Sequence, residues 1–417
     1  MRRRTLLKVG GLAAAALAAP LPFVFSRRGK LPSSLHADSA SLMDLPPGFQ
    51  YQVIDQRYSS MSDGYRVPAL PDGMACFPGR DGSLVLMRNH EITGPKLLGP
   101  CKLGQAIPPE AYDKDTHGGV TRVVVDAKTL KRRSSNLVLT GTQRNCAGGV
   151  SPWGWLSCEE TTAKNHGFVF LCDPSAERVQ PPRRLDAYGR CRHEAACVHP
   201  DTLIAYLTED QGDSCLYRFV PNSKAKPFEG KLQALAIQGR PRFDTSEQMG
   251  QGERLKVRWV DLPDPCPVED TLRRQGRERG AASIRRAEGI WVTDDTVFFC
   301  STTGGPAAAG QIFRLHLGKA GAADELELFV QSTSREQLDC PDNLTMAPWG
   351  DLVACEDTAG HCGLIGIRPD GTQYAIADNA YSNSELAGAC FSPDGRILFV
   401  NIQYPGLTLA ITGAWPT

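Results

Sequence analysis

The chain has 417 residues, of which 41% are hydrophobic and 22% are charged, with 46 basic and 46 acidic residues. This is the composition of an ordinary globular protein, and it argues against a collagen-like repeat or a disulfide scaffold. We expect no nucleic-acid partner, because the chain has no excess of positive charge and no basic stripe that could follow a phosphate backbone.

The first 30 residues have the features of an export signal. Arg3 and Arg4 precede an uncharged run at 9–19, and the sequence Ala-Leu-Ala at 16–18 matches a cleavage site. The alternative is a membrane anchor, but this run is too short to cross about 30 Å of hydrocarbon, and no later segment is apolar enough to do so. We therefore expect 1–30 to be a twin-arginine signal peptide and linker. The twin-arginine translocase would be a partner during export, and the mature protein would be periplasmic or secreted.

From residue 45 onward, a pattern of strand, tight turn and second strand recurs six times. The turns are rich in Gly, Pro and Asp, and the second strands are rich in Val, Ile, Leu and Phe, as is typical of turns and strands. The second strands are predicted at 83–88, 155–157, 202–207, 296–300, 351–354 and 396–400.

Repeated hairpins of this kind favour an all-β fold, a six-bladed β-propeller, over a β-sandwich, which would need fewer strands. We expect one propeller domain over residues 45–417, present as a monomer. Residues 221–287 depart from the pattern, because a polar stretch is followed by a run of helical character at 268–286. We interpret this segment as a partly helical insertion that caps one face.

Polar and mostly acidic residues follow the second strands. They are Asn89-His90-Glu91, Cys158-Glu159-Glu160, Glu209-Asp210, Ser301-Thr302-Thr303, Glu356-Asp357 and Asn401-Ile402-Gln403. Glu194, Glu288 and Asn343 stand before three of the first strands at a similar offset from the turn. Any one of these acids alone would be a solvated loop residue. Corresponding positions of successive blades share one face, however, and converging carboxylates repel unless a cation lies between them. The set therefore predicts a metal site.

The 14 cysteines include no C-x-x-C pair, which excludes a zinc ribbon and a thioredoxin motif. Most lie in apolar runs, as small buried hydrophobic residues do. Cys158 is different because it stands beside Glu159 in the strand-end set. A thiolate beside carboxylates favours iron or zinc over calcium or magnesium, whereas positions with oxygen ligands alone could also hold Ca²⁺. From the residues alone, a buried core thiol at Cys158 stays an open alternative.

The motifs resemble those of the PhoX-type alkaline phosphatase family. The matching segments are 89–91, 145–160, 193–194, 280–288, 341–344, 355–357 and 401–406, and the segment 145–160, which ends in Cys-Glu-Glu, is the most specific. The resemblance implies a six-bladed propeller that holds Fe³⁺ and Ca²⁺ and hydrolyses phosphate monoesters outside the cytoplasm. The chain departs from the family in being shorter, and in having Ala287 where a proline usually precedes Glu288.

The resemblance places family metal ligands on Cys158, Glu194 and Glu288, which we also expect to be catalytic, with Glu356 a further ligand. Together with the strand-end acids, the predicted metal ligands are Glu91, Cys158, Glu159, Glu194, Glu209, Asp210, Glu288, Glu356 and Asp357. Arg192, Arg286 and Asn343 are predicted to bind the substrate, since guanidinium groups pair well with phosphate. Two alternatives stay open: a calcium-dependent lactonase on the same fold, and a non-catalytic exported propeller that keeps its metal for structure.

Overall fold

The computed structural model of the protein describes residues 32–319, 321–358 and 360–416. The predicted signal peptide and linker at 1–30 lie outside the described residues. The strands are β1 (Met43–Asp44), β2 (Gln50–Gln56), β3 (Pro71–Pro78), β4 (Ser83–His90), β5 (Gly118–Asp126), β6 (Arg132–Thr142), β7 (Gly149–Ser151), β8 (Gly154–Cys158), β9 (Val169–Cys172), β10 (His193–Val198), β11 (Ala205–Glu209), β12 (Tyr217–Ser223), β13 (Lys226–Ile237), β14 (Arg254–Asp261), β15 (Ala287–Val292), β16 (Thr296–Ser301), β17 (Gln311–His316), β18 (Glu325–Gln331), β19 (Pro341–Met346), β20 (Leu352–Glu356), β21 (Gly363–Ile367), β22 (Gln373–Asn379), β23 (Leu386–Phe391), β24 (Ile397–Ile402) and β25 (Leu407–Thr412).

Helical structure is sparse. In the described part of the chain it consists of α1 (Thr245–Gln248), α2 (Leu272–Glu278) and two 3-10 turns, Lys96–Leu98 and Asp186–Tyr188. No helix in the described ranges is both long and apolar enough to span a lipid bilayer.

The strands form small antiparallel sheets in a β-propeller-like arrangement, which confirms the predicted all-β class. Strands β3, β7, β10, β15, β19 and β23 each begin one meander and pack side by side around a central channel, and β23 returns to β3. The N-terminal strand β2 pairs with the C-terminal strand β25, so residues from both ends of the chain complete one sheet. Each predicted second strand overlaps an observed strand: β4, β8, β11, β16, β20 and β24, although residues 202–204 of the third precede β11.

The segment 221–287 contributes strands as well as helices. Strand β13 pairs with β12, and β14 pairs with both β13 and β18, which joins two meanders into one nine-stranded sheet. Helix α2 covers only the middle of the run of helical character at 268–286. The sequence pattern hides β13 and β14 because their exposed positions, on the outer side of the sheets, carry mostly polar side chains.

The hydrophobic core lies between neighbouring sheets rather than at the centre of the ring. Trp155 and Phe170 of the second sheet, for example, pack against Val85 and Val120 of the first. Burial of these side chains fixes each sheet against the next. The first strand of each meander is thereby held at the channel.

Candidate metal centre

Five of the channel-lining strands carry a β-bulge at the same end. Their pairing with the second strand shifts at residues 72–73, 194–195, 288–289, 342–343 and 388–389. A bulge inserts one unpaired residue and re-aims its side chain. In four of the five, the first residue of the bulge is an acid: Asp72, Glu194, Glu288 and Asp342. The fold therefore gathers carboxylates at one end of the channel.

A small residue follows three of these acids because neighbouring strands come very close at this level. A Cβ atom on Gly73 would lie 1.6 Å from the carbonyl oxygen of Ala147, and one on Gly289 would lie 2.2 Å from that of Asp342. Only glycine allows such an approach. The backbones of neighbouring inner segments are consequently in close contact at this level.

At four places around the channel, a residue in the left-handed conformation brings the end of a second strand next to a first strand. Two residues before Asp72, Cys146, Glu288 and Asp342, the backbone adopts the left-handed conformation. The residues with this conformation are Leu70, Arg144, Arg286 and Cys340, with φ of 49°, 49°, 48° and 53°. Their carbonyl oxygens accept hydrogen bonds of 2.8–3.0 Å from the backbone N–H of Glu91, Glu160, Thr302 and Asp357, respectively. This conformation costs of order 1 kcal/mol in a non-glycine residue, so its repetition marks a constrained site.

Just beyond the ends of second strands β4, β8, β11 and β20, one acidic residue from each segment lies beside the bulge acids. Glu91, Glu160, Asp210 and Asp357 occupy these positions, and all four interact electrostatically with one or more bulge acids. Successive residues of a strand point in opposite directions, so the residue before each of them points back into the sheets.

That alternation corrects three predicted metal ligands. Glu159 accepts hydrogen bonds from the N–H groups of Gln143 and Gly167, both at 2.9 Å, and contacts Nδ1 of His166 at 2.7 Å. These contacts occupy both of its carboxylate oxygens, so Glu159 stabilises the sheet rather than binding metal.

Glu209 and Glu356 are occupied in the same way. Glu209 accepts a hydrogen bond of 2.5 Å from the Tyr217 hydroxyl. Glu356 accepts hydrogen bonds from the N–H groups of Asp339 at 2.8 Å and Gly363 at 3.0 Å. Neither belongs to a metal-binding group among the described residues.

The described residues form three groups whose ligand atoms all lie within 4.8 Å of one another. Two of the groups share the thiol of Cys146. The groups are Asp72–Glu91–Cys146, Cys146–Glu160–Glu194 and Asp342–Asp357–Glu385. The first two combine a thiol with carboxylates, which suits a transition ion, and the third offers oxygen only, which suits Ca²⁺. The predicted ligands Asp210 and Glu288 belong to none of the three, and both contact Arg286.

Cys158 does not lie in these groups, which corrects its predicted role as metal ligand and catalytic residue. It is fully buried and packs with Leu156, Val169 and Cys191 in a hydrophobic cluster. The cysteine among the acids is Cys146, whose pKa is raised by burial and then by Asp72 and its acidic neighbours. Both cysteines stand in the segment 145–160, and the sequence does not show which one points into the channel.

Burial and mutual repulsion both disfavour the ionised form of these carboxylates, and a bound cation would relieve both effects. Burial, followed by neighbouring acids, raises the pKa of Asp72, Glu194 and Glu288 well above the usual range. Burial is also the main cause that raises the pKa of Asp342 to about 7 and that of Glu160 to about 8. A cation among these oxygens would stabilise the ionised forms that burial disfavours.

Two arginines each hold a pair of these acids. Arg144 contacts Glu91 through Nε at 2.9 Å and Nη2 at 2.7 Å, and Nη2 lies 2.5 Å from Glu160. Arg286 contacts Asp210 through Nε at 2.9 Å and Nη2 at 3.2 Å, and Nη2 lies 2.5 Å from Glu288. The guanidinium groups therefore balance part of the charge.

The other two predicted substrate ligands differ from each other. Arg192 occupies a matching place, since its carbonyl accepts a hydrogen bond from the Asp210 N–H at 3.1 Å, and its Nε is buried with no partner in the described part of the chain. Asn343 accepts a hydrogen bond from the Gly388 N–H at 2.5 Å and donates one to Asp342 at 2.8 Å. Its amide thus joins two neighbouring strands of the ring instead of offering a free phosphate ligand.

Comparison with known proteins identifies the family. The sequence profile described as alkaline phosphatase PhoX matches residues 32–406. The chain belongs to this family. No curated protein matches the sequence. Among solved structures, Pseudomonas fluorescens PhoX in complex with vanadate, a transition-state analogue, is similar with a TM-score of 0.69 and 19% identity, over 89% of this chain and 96% of that one.

A gluconolactonase from Xanthomonas campestris is more distantly similar, with a TM-score of 0.45 and 12% identity, over 88% of this chain and 98% of that one. That likeness is too weak to carry an argument. Membership of the PhoX family confirms the resemblance predicted from the motifs and identifies the protein as a metal-dependent phosphatase.

The sequence interpretation missed several residues of this PhoX site. They are Asp72, Arg144, Cys146, Glu160, Asp342 and Glu385. One signal could have found Asp72, which stands directly before a glycine at the start of a first strand, as the predicted ligand Glu288 also does before Gly289. Which of two consecutive residues at a strand end faces the channel could not be predicted without knowing the register of strand pairing.

Beyond the bulges, the channel changes character. A cavity of 560 Å³ lies between the inner strands and is lined by residues such as Met74, Val198, Trp291, Met346 and Phe391. None of its lining residues is charged. The acids are thus confined to one end of an otherwise apolar channel.

Proposed function

We propose that the protein is an exported, metal-dependent phosphatase that hydrolyses phosphate monoesters at the acidic end of a six-bladed β-propeller. The observation that carries the proposal is the thiol of Cys146, shared by two groups of carboxylates. A thiol and four acids within such short distances would be unfavourable in a buried site without cations. They are the donor set that a pair of transition ions requires.

Six blades are supported if the channel-lining strands β3, β7, β10, β15, β19 and β23 are counted as one blade each. The nine-stranded sheet then comprises two blades joined at their outer edge by β14. The second blade has three strands, β7–β9, and the others have at least four.

We assign the metals by ligand type. Asp72, Glu91, Cys146, Glu160 and Glu194 would hold Fe³⁺, and Asp342–Asp357–Glu385 would hold Ca²⁺. When bound, such ions supply Lewis-acid stabilisation of phosphoryl charge and an activated nucleophile. Hydrolysis of phosphate monoesters is among the slowest uncatalysed reactions, so a site with several cations matches the demand.

The protein's own groups would orient the substrate. The guanidinium group of Arg286 is fixed by Asp210 and Glu288, so it can bind a phosphoryl oxygen without first being ordered. Arg192 has an unpartnered Nε nearby and would serve the same group. The bulges and the glycine contacts keep the ligands in place before substrate arrives.

Export rests on the sequence alone. The paired arginines and the short uncharged run support transport by the twin-arginine translocase and a periplasmic or secreted location. Because that route carries folded proteins, the metals would be bound before export. We further propose that the mature protein is a monomer.

The test is turnover of p-nitrophenyl phosphate at alkaline pH by the purified exported protein, with elemental analysis of the same sample. We expect both iron and calcium to be present, and chelation to abolish turnover. Calcium alone, combined with hydrolysis of a sugar lactone and no hydrolysis of the phosphate ester, would refute the phosphatase in favour of a lactonase. Iron without turnover of any ester would leave a metal-binding protein with no catalytic role.

A further inference from the structure

We propose that Arg144 binds the phosphoryl group of the substrate together with Arg286. This inference rests on the proposed function, which names only Arg286 and Arg192 as phosphate ligands. It extends the substrate site to a third strand of the ring, next to the shared thiol of Cys146.

The first argument is positional equivalence. Arg144 stands two residues before Cys146, and Arg286 stands two residues before Glu288. Both residues have the left-handed conformation, with φ of 49° and 48°. Both carbonyl oxygens accept a hydrogen bond from the strand end that follows, at 2.8 Å from Glu160 and 2.9 Å from Thr302. The fold therefore presents the two guanidinium groups in the same way toward the ring.

The second argument is the pattern of donors. In each arginine, Nε and Nη2 contact acids of the ring, as described above. Nη1 of each makes no hydrogen bond to any described residue, and the side chains are 33% exposed for Arg144 and 32% for Arg286. Each arginine thus has one end anchored and one pair of N–H donors free, which is the arrangement that a fixed phosphate-binding guanidinium needs.

The third argument is that the backbone does not demand arginine. The equivalent left-handed positions on two other strands carry Leu70 and Cys340, which are uncharged. A left-handed position favours glycine or asparagine, so nothing in its conformation selects a long cationic side chain. Arginine occurs at this position in the two segments that also carry Cys146 and Glu288, where the proposed chemistry would take place.

The experiment measures phosphate binding separately from catalysis. Arg144→Lys keeps the charge and can still pair with Glu91 or Glu160, but it loses the planar fork. Arg133→Gln is the control, because Arg133 is also an ion-paired arginine, bonded to Asp126 outside the ring. For each protein, metal content is determined first, and the dissociation constant of inorganic phosphate is then measured by calorimetry.

We expect Arg144→Lys to bind inorganic phosphate about 10- to 100-fold more weakly at unchanged metal content, the loss typical of one charge-assisted hydrogen bond. KM for p-nitrophenyl phosphate should rise in parallel, and Arg133→Gln should match the wild type. Unchanged phosphate affinity in Arg144→Lys, or a loss that only follows lost metal, would overturn the inference and leave Arg144 as a clamp for Glu91 and Glu160. If the variant binds phosphate weakly but the wild type hydrolyses no ester, the inference stands and the proposed function fails.

Discussion

Replacing Cys146 and Cys158 separately by alanine distinguishes a metal ligand from a core residue. The two thiols are both buried and stand only 12 positions apart, so the substitutions remove the same atom from similar depths. Loss of one buried sulfur costs folding stability comparable to deletion of a methylene group, about 0.5–1.5 kcal/mol. In metal-free protein, we expect both variants to show a loss of this size.

The variants should diverge once metal is present. Cys146 belongs to two ligand groups, so its removal weakens both, whereas the thiol of Cys158 belongs to neither group and packs with Leu156 and Val169. An ion at 100 times its dissociation constant stabilises a protein by about 2.7 kcal/mol. Wild type and Cys158→Ala should gain a stabilisation of this order from iron, and Cys146→Ala should gain little.

The assay combines iron content by elemental analysis, thermal unfolding with and without iron, and turnover of p-nitrophenyl phosphate. We expect Cys146→Ala to lose iron and activity with its fold intact, and Cys158→Ala to keep both. The reverse result, with iron lost from Cys158→Ala and retained by Cys146→Ala, would refute the assignment of the ligands.

Three further predictions concern the acids and the backbone around them. Since the pKa values of Asp342 and Glu160 are raised to about 7 and about 8, the folded metal-free protein binds protons that the unfolded chain has released. Its unfolding free energy should fall between about pH 5 and 8, by up to about 1.4 kcal/mol per pKa unit and group, and added cations should reverse the trend in denaturant titrations. Glu160→Gln should lower metal content without destabilising the metal-free protein, whereas Glu159→Gln should keep metal and lose about 2 kcal/mol or more by the same titrations. Gly73→Ala should cost about 3 kcal/mol or more in thermal unfolding, because its Cβ would meet the carbonyl oxygen of Ala147; a normal melting temperature would contradict the close approach.

The fold was accessible from sequence because hairpins are local. The turns between first and second strands, such as the one before Ser83, carry Gly and Asp, and the strands beside them are apolar. Strand β14 was not accessible, because its pairing with β18 joins residues far apart in sequence and its exposed positions are mostly polar. Local sequence patterns do not indicate which distant strand will pair with β14.

The location of the site could be predicted, but not every residue in it. Acids recur where the second strands end, and that recurrence is visible in the sequence. Which of Glu159 and Glu160 points at the channel depends on register, and a shift of one residue reverses the answer. Asp72 and Asp342 owe their direction to bulges, which insert a residue into the pairing. Gly73 marks the first of these bulges in the sequence, whereas Asn343 gives no such sign of the second.

The apolar stretch of the channel disfavours the passage of ions to and from the acidic residues on that side. An ion that left the carboxylates through this stretch would give up its hydration among side chains such as Val198 and Phe391, with no charge or ligand to replace the lost water. Exchange of ions would then take place through the opposite mouth, where we propose that Arg144 and Arg286 bind the phosphoryl group. A phosphate ion seated there would act as a plug, and chelators should strip the metals more slowly from the phosphate-bound protein.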